Sequence, residues 1–242
     1  MRAVTFDGFD LARLVYVEDV RRPLYAGLRV QTETVPGADG CLVRSAMLDS
    51  MEVEVDVRCI RPSKVEMRRV LGELARVLAV DGPRRLTQSD RPGLYDLAVP
   101  TGRPSVDEWM GTGGATLTFL LPSPASYGPK RAATVGTAGA GFQVFGTYRT
   151  APVLSCPAAM RDKATGLWGV RLDGGDTLRV ALADTKAHRV EVDCTARTAT
   201  VDGAAAMVTL DSDWWSLDAG RHTATVELGT GDVEMTWNER WL

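Results

Sequence analysis

Long apolar runs are missing from this chain. The N-terminal stretch "MRAVTFDGFDLARLVYVEDV" is interrupted by charges at Asp7, Asp10 and Arg13, and it lacks the apolar segment of about 7–15 residues that a signal peptide needs. No window approaches the roughly 20 apolar residues of a membrane span. We therefore expect neither a signal peptide nor membrane insertion. Because 45% of the residues are hydrophobic, we predict a globular protein with a substantial core.

An excess of positive charge is missing as well. The formal net charge is -3, with 16 basic and 17 acidic residues before Ala125 and 12 and 14 from there on. Proteins that hold nucleic acid by neutralising phosphates normally carry a basic excess, so specific DNA or RNA binding is disfavoured. A protein that only surrounds passing DNA is compatible with this balance, and its lumen should be weakly repulsive.

Catalytic and cofactor-binding motifs are absent. The sequence has no GxSxG, P-loop or HExxH motif, and the glycine-rich "GTAGAG" near Gly136 is not followed by a helical pattern. The only histidines are His188 and His222, and no nucleophile motif accompanies either. We interpret both as strand-edge surface residues. We predict a protein that is not an enzyme and has neither catalytic residues nor cofactors.

Residues that could hold a metal are few. The four cysteines are widely separated and form no CxxC motif, so we predict that they are reduced and mostly buried. They are Cys41, Cys59, Cys156 and Cys194. Asp173 with Asp176, and Asp211 with Asp213, form carboxylate pairs that could bind calcium or act in a glycosidase. Aspartate beside glycine or serine is also what turns require, so we favour turns and predict no metal site.

One stretch changes from the period of a strand to that of a helix at Pro62. Before it, "MEVEVDV" alternates apolar and charged residues as a half-buried strand does. After it, Ser63 and Glu66 form a capping box and "VDGPRR" ends the pattern, which predicts a helix over residues 63–80. Its apolar stripe consists of Met67, Val70, Leu71, Leu74, Val77 and Leu78. Such a stripe favours a core helix over a partner-binding helix.

Prolines and glycines mark a boundary near the middle of the chain. Pro122, Pro124, Gly128 and Pro129 crowd together in "PSPASYGP". Beyond it, short strands alternate with Gly/Asp turns at intervals of about 8–12 residues, which is typical of an antiparallel sandwich. We predict a mainly β protein with two domains, residues 1–128 with the helix and residues 129–242.

Trp214 and Trp215 are the candidate contact residues of the second domain. They are adjacent, so on a strand they would face opposite sides and one of them could be exposed. An exposed tryptophan on a β-sandwich can stack on a sugar or contact a partner protein. A core anchor followed by a turn is the interpretation that we favour for "WWSLDAG". Trp237 and Trp241 would share a face if the C-terminal end is extended.

The order of these pieces resembles the distal tail proteins of siphoviruses, which are long-tailed, non-contractile bacteriophages. "TVPGADG" resembles the family's V-x-G-x-D-G turn, with Pro36 and Gly37 at the centre of a type II turn and Ala38 where the family often has a basic residue. "ATLTFLLPSPASYGP" resembles its strand that ends in a Pro-x-x-Tyr-Gly break. In the second half, "GTYRTAPVLSC" and "WWSLDAGRHTATVEL" are similar to the opening segment and closing strands of the C-terminal domain. The resemblance covers nearly the whole chain.

This resemblance implies a structural role in the virion. The first domain would be a β-barrel or sandwich with one helix and a long hairpin, assembled into a homohexameric ring around a channel that DNA crosses without specific binding. The second would be a galectin-like β-sandwich that projects outward. The ring would join the tail tube protein to the tail-hub protein at the tail tip or baseplate. Some family members hold receptor-binding proteins on the outer domain. The particle would be assembled in the host cytoplasm.

A carbohydrate-binding β-sandwich module or adhesin is the alternative function, with Trp214 or Trp215 stacking on a sugar. Galectin-type sugar sites use a cluster of His, Asn, Arg and Trp, and Asn238 is the only asparagine of the second half. That composition disfavours a lectin of this type. A galectin-like fold does not by itself imply sugar binding, because function depends on sites rather than folds.

Overall fold

The computed structural model describes residues 3–37, 39–109 and 112–242. Strands dominate, and Lys64–Leu78 form the one α-helix of this described part, which confirms the predicted mainly β fold class. The chain divides into two compact units. The first ends at Tyr127 and also takes in Leu242, and the second runs from Gly128 to Trp241. Ala38, where the chain departs from the family pattern, lies outside the described residues.

The first unit contains an eight-stranded antiparallel sheet and a separate two-stranded hairpin. In chain order its elements are β1 (Val4–Phe6), β2 (Phe9–Asp10), a 3-10 helix (Leu11–Arg13), β3 (Tyr16–Arg21), β4 (Leu28–Glu33), β5 (Leu42–Leu48), β6 (Met51–Ile60), α1 (Lys64–Leu78), β7 (Arg84–Gln88), β8 (Asp96–Thr101), β9 (Asp107–Trp109) and β10 (Thr112–Leu121). The strand order of the sheet is β2-β1-β7-β8-β10-β6-β3, and β9 pairs with β10 beside this path. Strands β4 and β5 form the hairpin.

Strand β6 confirms the predicted alternation. Its buried residues are Met51, Val53, Val55, Val57 and Cys59. The intervening side chains face away from the core, since successive residues of a strand point to opposite sides. On that outer face, the Nε of Arg21 donates to Glu54 at 2.9 Å, and Arg58 lies 2.6 Å from Glu18. One strand thus supplies a dry face to the core and a charged face to the surface.

Helix α1 begins where the capping box predicts. The Ser63 side chain accepts a hydrogen bond from the backbone N–H of Glu66 at 3.3 Å, which satisfies one of the free N–H groups of the first turn. The helix ends at Leu78, two residues before the predicted end. The fully or nearly buried members of its apolar stripe are Met67, Val70 and Leu74, and Leu71, Val77 and Leu78 pack at the margin of the core. The interpretation as a core helix is therefore confirmed.

The second unit packs two sheets around one core. In chain order its strands are β11 (Ser126–Val135, whose first two residues belong to the first unit), β12 (Ala140–Val144), β13 (Val153–Ala159), β14 (Leu167–Leu172), β15 (Asp176–Ala181), β16 (His188–Asp193), β17 (Thr198–Val201), β18 (Ala204–Ala205), β19 (Gly220–Leu228) and β20 (Val233–Trp241). The sheet orders are β11-β20-β13-β16-β17-β18 and β12-β19-β14-β15. Both sheets bury alternate residues in a common cluster that includes Trp168, as the sandwich pattern predicts.

Two smaller predictions concern the turn before β5 and the cysteines. Gly37 has a φ of 81°, the left-handed value that the third residue of a type II turn requires.

All four cysteines are free, and three of them are buried while Cys41 is exposed. Burial raises the pKa of the Cys194 thiol to about 11, so this thiol stays protonated at neutral pH.

Candidate functional site

The hairpin of β4 and β5 is the most exposed secondary structure of the first unit. Among the described residues, these strands pair only with each other. Their register runs from Leu28↔Leu48 to Glu33↔Leu42, with an irregularity between Gln31 and Thr32. Every residue of β4 is exposed. A two-stranded ribbon is marginally stable in water, and its outer edges offer unpaired N–H and C=O groups to another chain.

The hairpin has one apolar face and one mainly polar face. Side chains alternate along each strand, and paired residues share a face. The apolar face of the hairpin consists of Leu28, Val30, Thr32, Val43, Ala46 and Leu48. On the polar face, the Ser45 hydroxyl donates to Gln31 at 3.2 Å, and Arg44 forms an ion pair with Glu33. This second face is mixed, because it also carries Leu42 and Met47, which are 51% and 61% exposed, whereas the first face is apolar apart from Thr32.

Exposure of this apolar face favours contact with a second surface. Leu28 is 56% exposed and Val43 is 62% exposed. Leu24 and Tyr25, on the loop that leads into β4, are two further exposed apolar side chains just before the hairpin in the sequence. Full burial of one such aliphatic side chain contributes about 1.5–3 kcal/mol. A contiguous exposed patch of this kind marks an interaction surface more often than a free surface.

The base of the hairpin is held in place by the core. The backbone N–H of Asp49 donates to the carbonyl of Gly27 at 2.8 Å and closes the base. Beside it, Ala26 is buried and Leu48 packs against the core of the first unit. The hairpin is therefore an extension with a fixed base rather than a free loop.

A buried ionic cluster fixes the chain just before the hairpin. Arg22, which follows β3, donates from Nη1 to Asp96 at 2.6 Å and from Nη2 to the Ser126 hydroxyl at 3.1 Å. The Ser126 hydroxyl donates to Asp96 at 2.6 Å and accepts from Arg91 at 2.9 Å. Burial and the neighbouring Arg22 lower the pKa of Arg91. One carboxylate thus serves two guanidinium groups, and sequence reasoning missed the cluster because its members are far apart in the chain.

The tryptophans predicted as contact residues lie off the strands and against the core of the second unit. Trp215 is 1% exposed, and Trp214 is partly buried against the same core. Two backbone hydrogen bonds between Thr150 and Leu217, at 2.9 and 2.7 Å, hold this segment. A sugar cannot stack on Trp215 without displacing core side chains, so only Trp214 keeps an accessible edge. Trp237 is buried in β20, and Trp241 is partly buried.

Both histidines are held between two acceptors. His188 Nδ1 lies 2.7 Å from Asp202 and its Nε2 lies 3.0 Å from Asp184. His222 Nδ1 lies 2.7 Å from Asp173, and its Nε2 lies 2.8 Å from the carbonyl of Asp218. Only an imidazolium ring can donate from both nitrogens. Each side chain is 13% exposed, so both rings are partly buried at the surface of the unit, His188 at the start of β16 and His222 within β19.

The two histidines use the same local arrangement. Asp202 and Asp173 both have positive φ values, 52° and 49°, in turns, where each is followed by glycine. The second carboxylate oxygen of each accepts the backbone N–H of the residue after the histidine, Arg189 at 2.8 Å and Thr223 at 2.7 Å. Each aspartate therefore ties a turn to a neighbouring strand through both a side chain and the backbone. Asp173 belongs to one of the aspartate pairs that we assigned to turns.

We expect the stability of the second unit to fall as the pH rises above the ordinary histidine pKa of 6.5. Hydrogen bonds to Asp202 and then to Asp184 raise the pKa of His188. Burial alone would lower the pKa of His222, but the hydrogen bonds to Asp173 and to the Asp218 carbonyl outweigh it and the pKa is raised. A raised pKa stabilises the folded state fully below the ordinary value of 6.5, and this stabilisation is lost as the pH rises through the folded value.

Urea denaturation at a series of pH values checks this expectation. The doubly substituted His188→Gln/His222→Gln chain, which has no histidine left, should lose this decline above pH 6.5. Asp173, Asp184 and Asp202 have lowered pKa values, so both chains should also lose stability as the pH falls below about 4. An unchanged slope above pH 6.5 in the double variant would show that the histidines do not cause it.

Neither a metal-binding cluster nor a membrane-spanning helix is found among the described residues. Among the described residues, no group of three or more His, Cys, Asp or Glu side chains is placed to hold a metal ion. Helix α1 is too short and too polar to cross a membrane, and no other described helix could do so. The hairpin therefore remains the strongest candidate in the first unit.

Comparisons with known proteins point to one family. The family model described as "Phage tail protein RIFT-related domain" matches residues 13–121, and that described as "Siphovirus-type tail component, C-terminal domain" matches residues 145–241. The distal tail protein of Bacillus phage SPP1 is 28% identical over 223 residues, which are 88% of this chain and 85% of that protein.

A solved structure shares the fold. The crystal structure of SPP1 Dit, described as a paradigm of the hub adsorption apparatus in phages that infect Gram-positive bacteria, superposes with a TM-score of 0.83 over 100% of both chains at 21% identity. The phage P2 baseplate in its activated conformation gives a TM-score of 0.45 at 11% identity over 98% of both chains.

The two family models match successive parts of the chain, in the order in which the sequence motifs resemble the family. The 13–121 match contains the capped helix and the exposed hairpin, and the 145–241 match contains most of the sandwich. A relative that aligns along most of its own length supports the same assignment. The chain therefore belongs to the siphovirus-type tail component family, that of the phage distal tail proteins.

Proposed function

We propose that this chain is a structural, non-enzymatic hub of a phage tail tip that assembles into a homohexameric ring. The ring connects the tail tube to the tail-hub protein at the tip or baseplate, and the outer domain serves adsorption proteins. Membership of the distal tail protein family and the shared SPP1 Dit fold support this proposal. The particle is assembled in the host cytoplasm, and the chain resides at the tail tip of the virion.

The open apolar face of the hairpin is the observation that carries the ring proposal. A closed ring needs a heterologous contact, in which one surface of a subunit meets a different surface of the next. The hairpin supplies both an apolar face and unpaired strand edges, and its base is fixed by Ala26 and Leu48. When the hairpin packs against the neighbouring subunit, Leu28, Val30 and Val43 become buried and the unpaired strand edges gain hydrogen-bond partners.

The charge distribution suits a channel that DNA crosses without being held. The chain has a net charge of -3, and on the outer face of β6 Glu54 and Asp56 are ion-paired with Arg21 while Arg58 is ion-paired with Glu18. A face without an excess of basic charge does not hold the phosphate backbone, so DNA slides past without specific binding. In this proposal, the second domain is a galectin-like sandwich on the outside of the ring, where a receptor-binding protein attaches.

Two adjacent substitutions on opposite faces of the hairpin test the ring contact. Val30→Asp places a carboxylate on the apolar face, and Gln31→Asp places the same carboxylate on the polar face. Both positions are exposed, so each isolated chain should fold as stably as the parent within about 0.5 kcal/mol. An unpaired charge buried in a contact costs about 3 kcal/mol or more, which is a factor of about 100 or more in association.

Sedimentation velocity over a concentration series reads out the result. We expect the Val30→Asp chain to stay monomeric at concentrations where the parent and Gln31→Asp chains form rings. Equal assembly of all three chains would show that the hairpin face is not the ring contact. Loss of assembly in both variants would assign the contact to the strand edges or to the polar face instead.

A further inference from the structure

A second exposed apolar surface lies in the second unit, on the segment between β18 and β19. Residues 206–213, which we call the strap, run along the outer edge of β15. The backbone N–H of Ala181 donates to Met207 at 3.1 Å, Thr209 donates to Arg179 at 3.1 Å, and Asp213 donates to Thr177 at 2.7 Å. The strap thus covers an edge strand with a regular set of hydrogen bonds, which edge strands need.

The Trp214–Trp215 pair explains why the strap is rigid. Immediately after the strap, Trp215 and then Leu217 are buried in the core of the unit. Within the strap, the Ser212 hydroxyl accepts the backbone N–H of Arg179 at 2.9 Å and lies 2.9 Å from the Thr209 hydroxyl. The tryptophan motif therefore anchors the strap on its C-terminal side. A segment held by its backbone and by two core side chains keeps one conformation.

This rigid strap presents two bare apolar side chains to solvent. Met207 is 80% exposed and Leu210 is 107% exposed, the two most exposed large apolar side chains of the second unit among the described residues. Between them, Val208 points inward and packs against the core. Side chains on a fixed backbone lose little conformational entropy on binding, so they are pre-organised for contact. Apolar anchors of this kind are what a groove on a partner protein accommodates.

The segment that carries the two anchors has charges of one sign. From Gly203 to Gly220, the charged residues are Asp211, Asp213 and Asp218, with no basic residue among them. Asp211 forms an ion pair with Arg179, so these two charges offset each other and the exposed Asp213 and Asp218 make the segment acidic. An acidic rim would repel a second copy of the same surface and attracts a basic one.

We propose that the strap is the docking ridge for another protein of the tail tip, whose complementary site is an apolar groove with a basic rim. Met207 and Leu210 enter the groove, and the acidic Asp213 and Asp218 match its basic residues. This inference rests on the proposed hub function, because it supplies the outer domain with a specific attachment surface. It also gives the tryptophan motif a role as an anchor rather than as a sugar platform.

Methionine oxidation tests the proposal with a residue that the chain already contains. Hydrogen peroxide converts an accessible methionine to its sulfoxide, and a buried one reacts far more slowly. Three samples are compared by mass spectrometry: the dilute chain, rings formed from the chain alone, and complete tails. We expect oxidation of Met207 to be at least about tenfold slower in complete tails than in the dilute chain and unchanged in rings. Met67 and Met235, which are buried, report that the fold is intact in every sample.

A Val30→Met chain separates failure of this inference from failure of the hub proposal. The introduced thioether lies on the hairpin and becomes protected from oxidation if rings form through the apolar face, whether or not the strap is covered. Protection of this hairpin reporter without protection of Met207 in tails would overturn the docking ridge and leave the ring proposal standing. Protection of Met207 in rings of the chain alone would identify a second copy as its occupant and overturn the proposed partner.

Substitution at Leu210 gives an independent result. Leu210 is fully exposed, so Leu210→Asp and Leu210→Met should both leave folding unchanged. We expect tails with Leu210→Asp to lose at least about nine-tenths of one tail-tip protein that tails with Leu210→Met retain. Identical protein composition in the two kinds of tail would contradict the proposal. Binding of a glycan array by the parent chain, abolished by Leu210→Asp, would assign the ridge to sugar instead.

Discussion

Replacement of Asp96 by alanine is expected to destabilise the first unit by about 3 kcal/mol, because it leaves two partly buried guanidinium groups without their buried carboxylate. The Asp96 side chain is 7% exposed, and those of Arg22 and Arg91 are 17% and 24% exposed. Its loss also removes the acceptor of the Ser126 hydroxyl. Because Arg22 leads into the hairpin, the same substitution should weaken ring assembly.

The control for Asp96 is an exposed ion pair in the same sheet. Glu54 accepts from Arg21 at 2.9 Å, but both side chains are about half exposed, so Glu54→Ala should cost about 0–1 kcal/mol. Five of the six tryptophans lie in the second unit, so their fluorescence follows that unit, whereas circular dichroism follows both. Asp96→Ala should lower the unfolding midpoint measured by circular dichroism by more than it lowers the midpoint measured by fluorescence. Equal effects of Asp96→Ala and Glu54→Ala would show that the buried cluster is not critical.

Truncation of Trp215 is the second large effect that we expect. Trp215→Ala should destabilise the second unit by about 3–5 kcal/mol, since it removes a large side chain from a closed core and leaves a cavity. The neighbouring Trp214 is only partly buried, so Trp214→Ala should cost less than half as much. Urea denaturation followed by circular dichroism measures both. If Trp215→Ala left the free energy of unfolding unchanged, the Trp215 ring would behave as an exposed side chain that stacks on a sugar. That result would contradict its burial in the core.

Local sequence patterns predicted the elements whose determinants are neighbours in the chain. The alternation of β6 and the capping of α1 by Ser63 are both set within a few residues, and the structure confirms both. The mainly β class follows from turn residues at regular spacing. The capped helix ends two residues early because the prediction followed the apolar pattern to Val80, whereas the helix stops at Leu78.

The candidate surfaces could not be predicted from local patterns. In the hairpin, the register shift between Gln31 and Thr32 breaks the alternation of β5, so "LVRSAML" does not reveal an apolar face. Trp214 and Trp215 would face opposite sides on a strand, but they lie in an irregular segment whose position depends on contacts with Thr150 and the core. The pairing of His222 with Asp173 joins residues 49 positions apart, which no short motif encodes.

Light scattering of the purified chain, followed by negative-stain imaging of the main peak, tests whether the chain forms a hexameric ring. We predict a species of six times the 26.1 kDa chain mass that forms closed six-fold rings with an open centre. A strict monomer throughout the micromolar range, both alone and when mixed with the tail tube protein of the same phage, would contradict it.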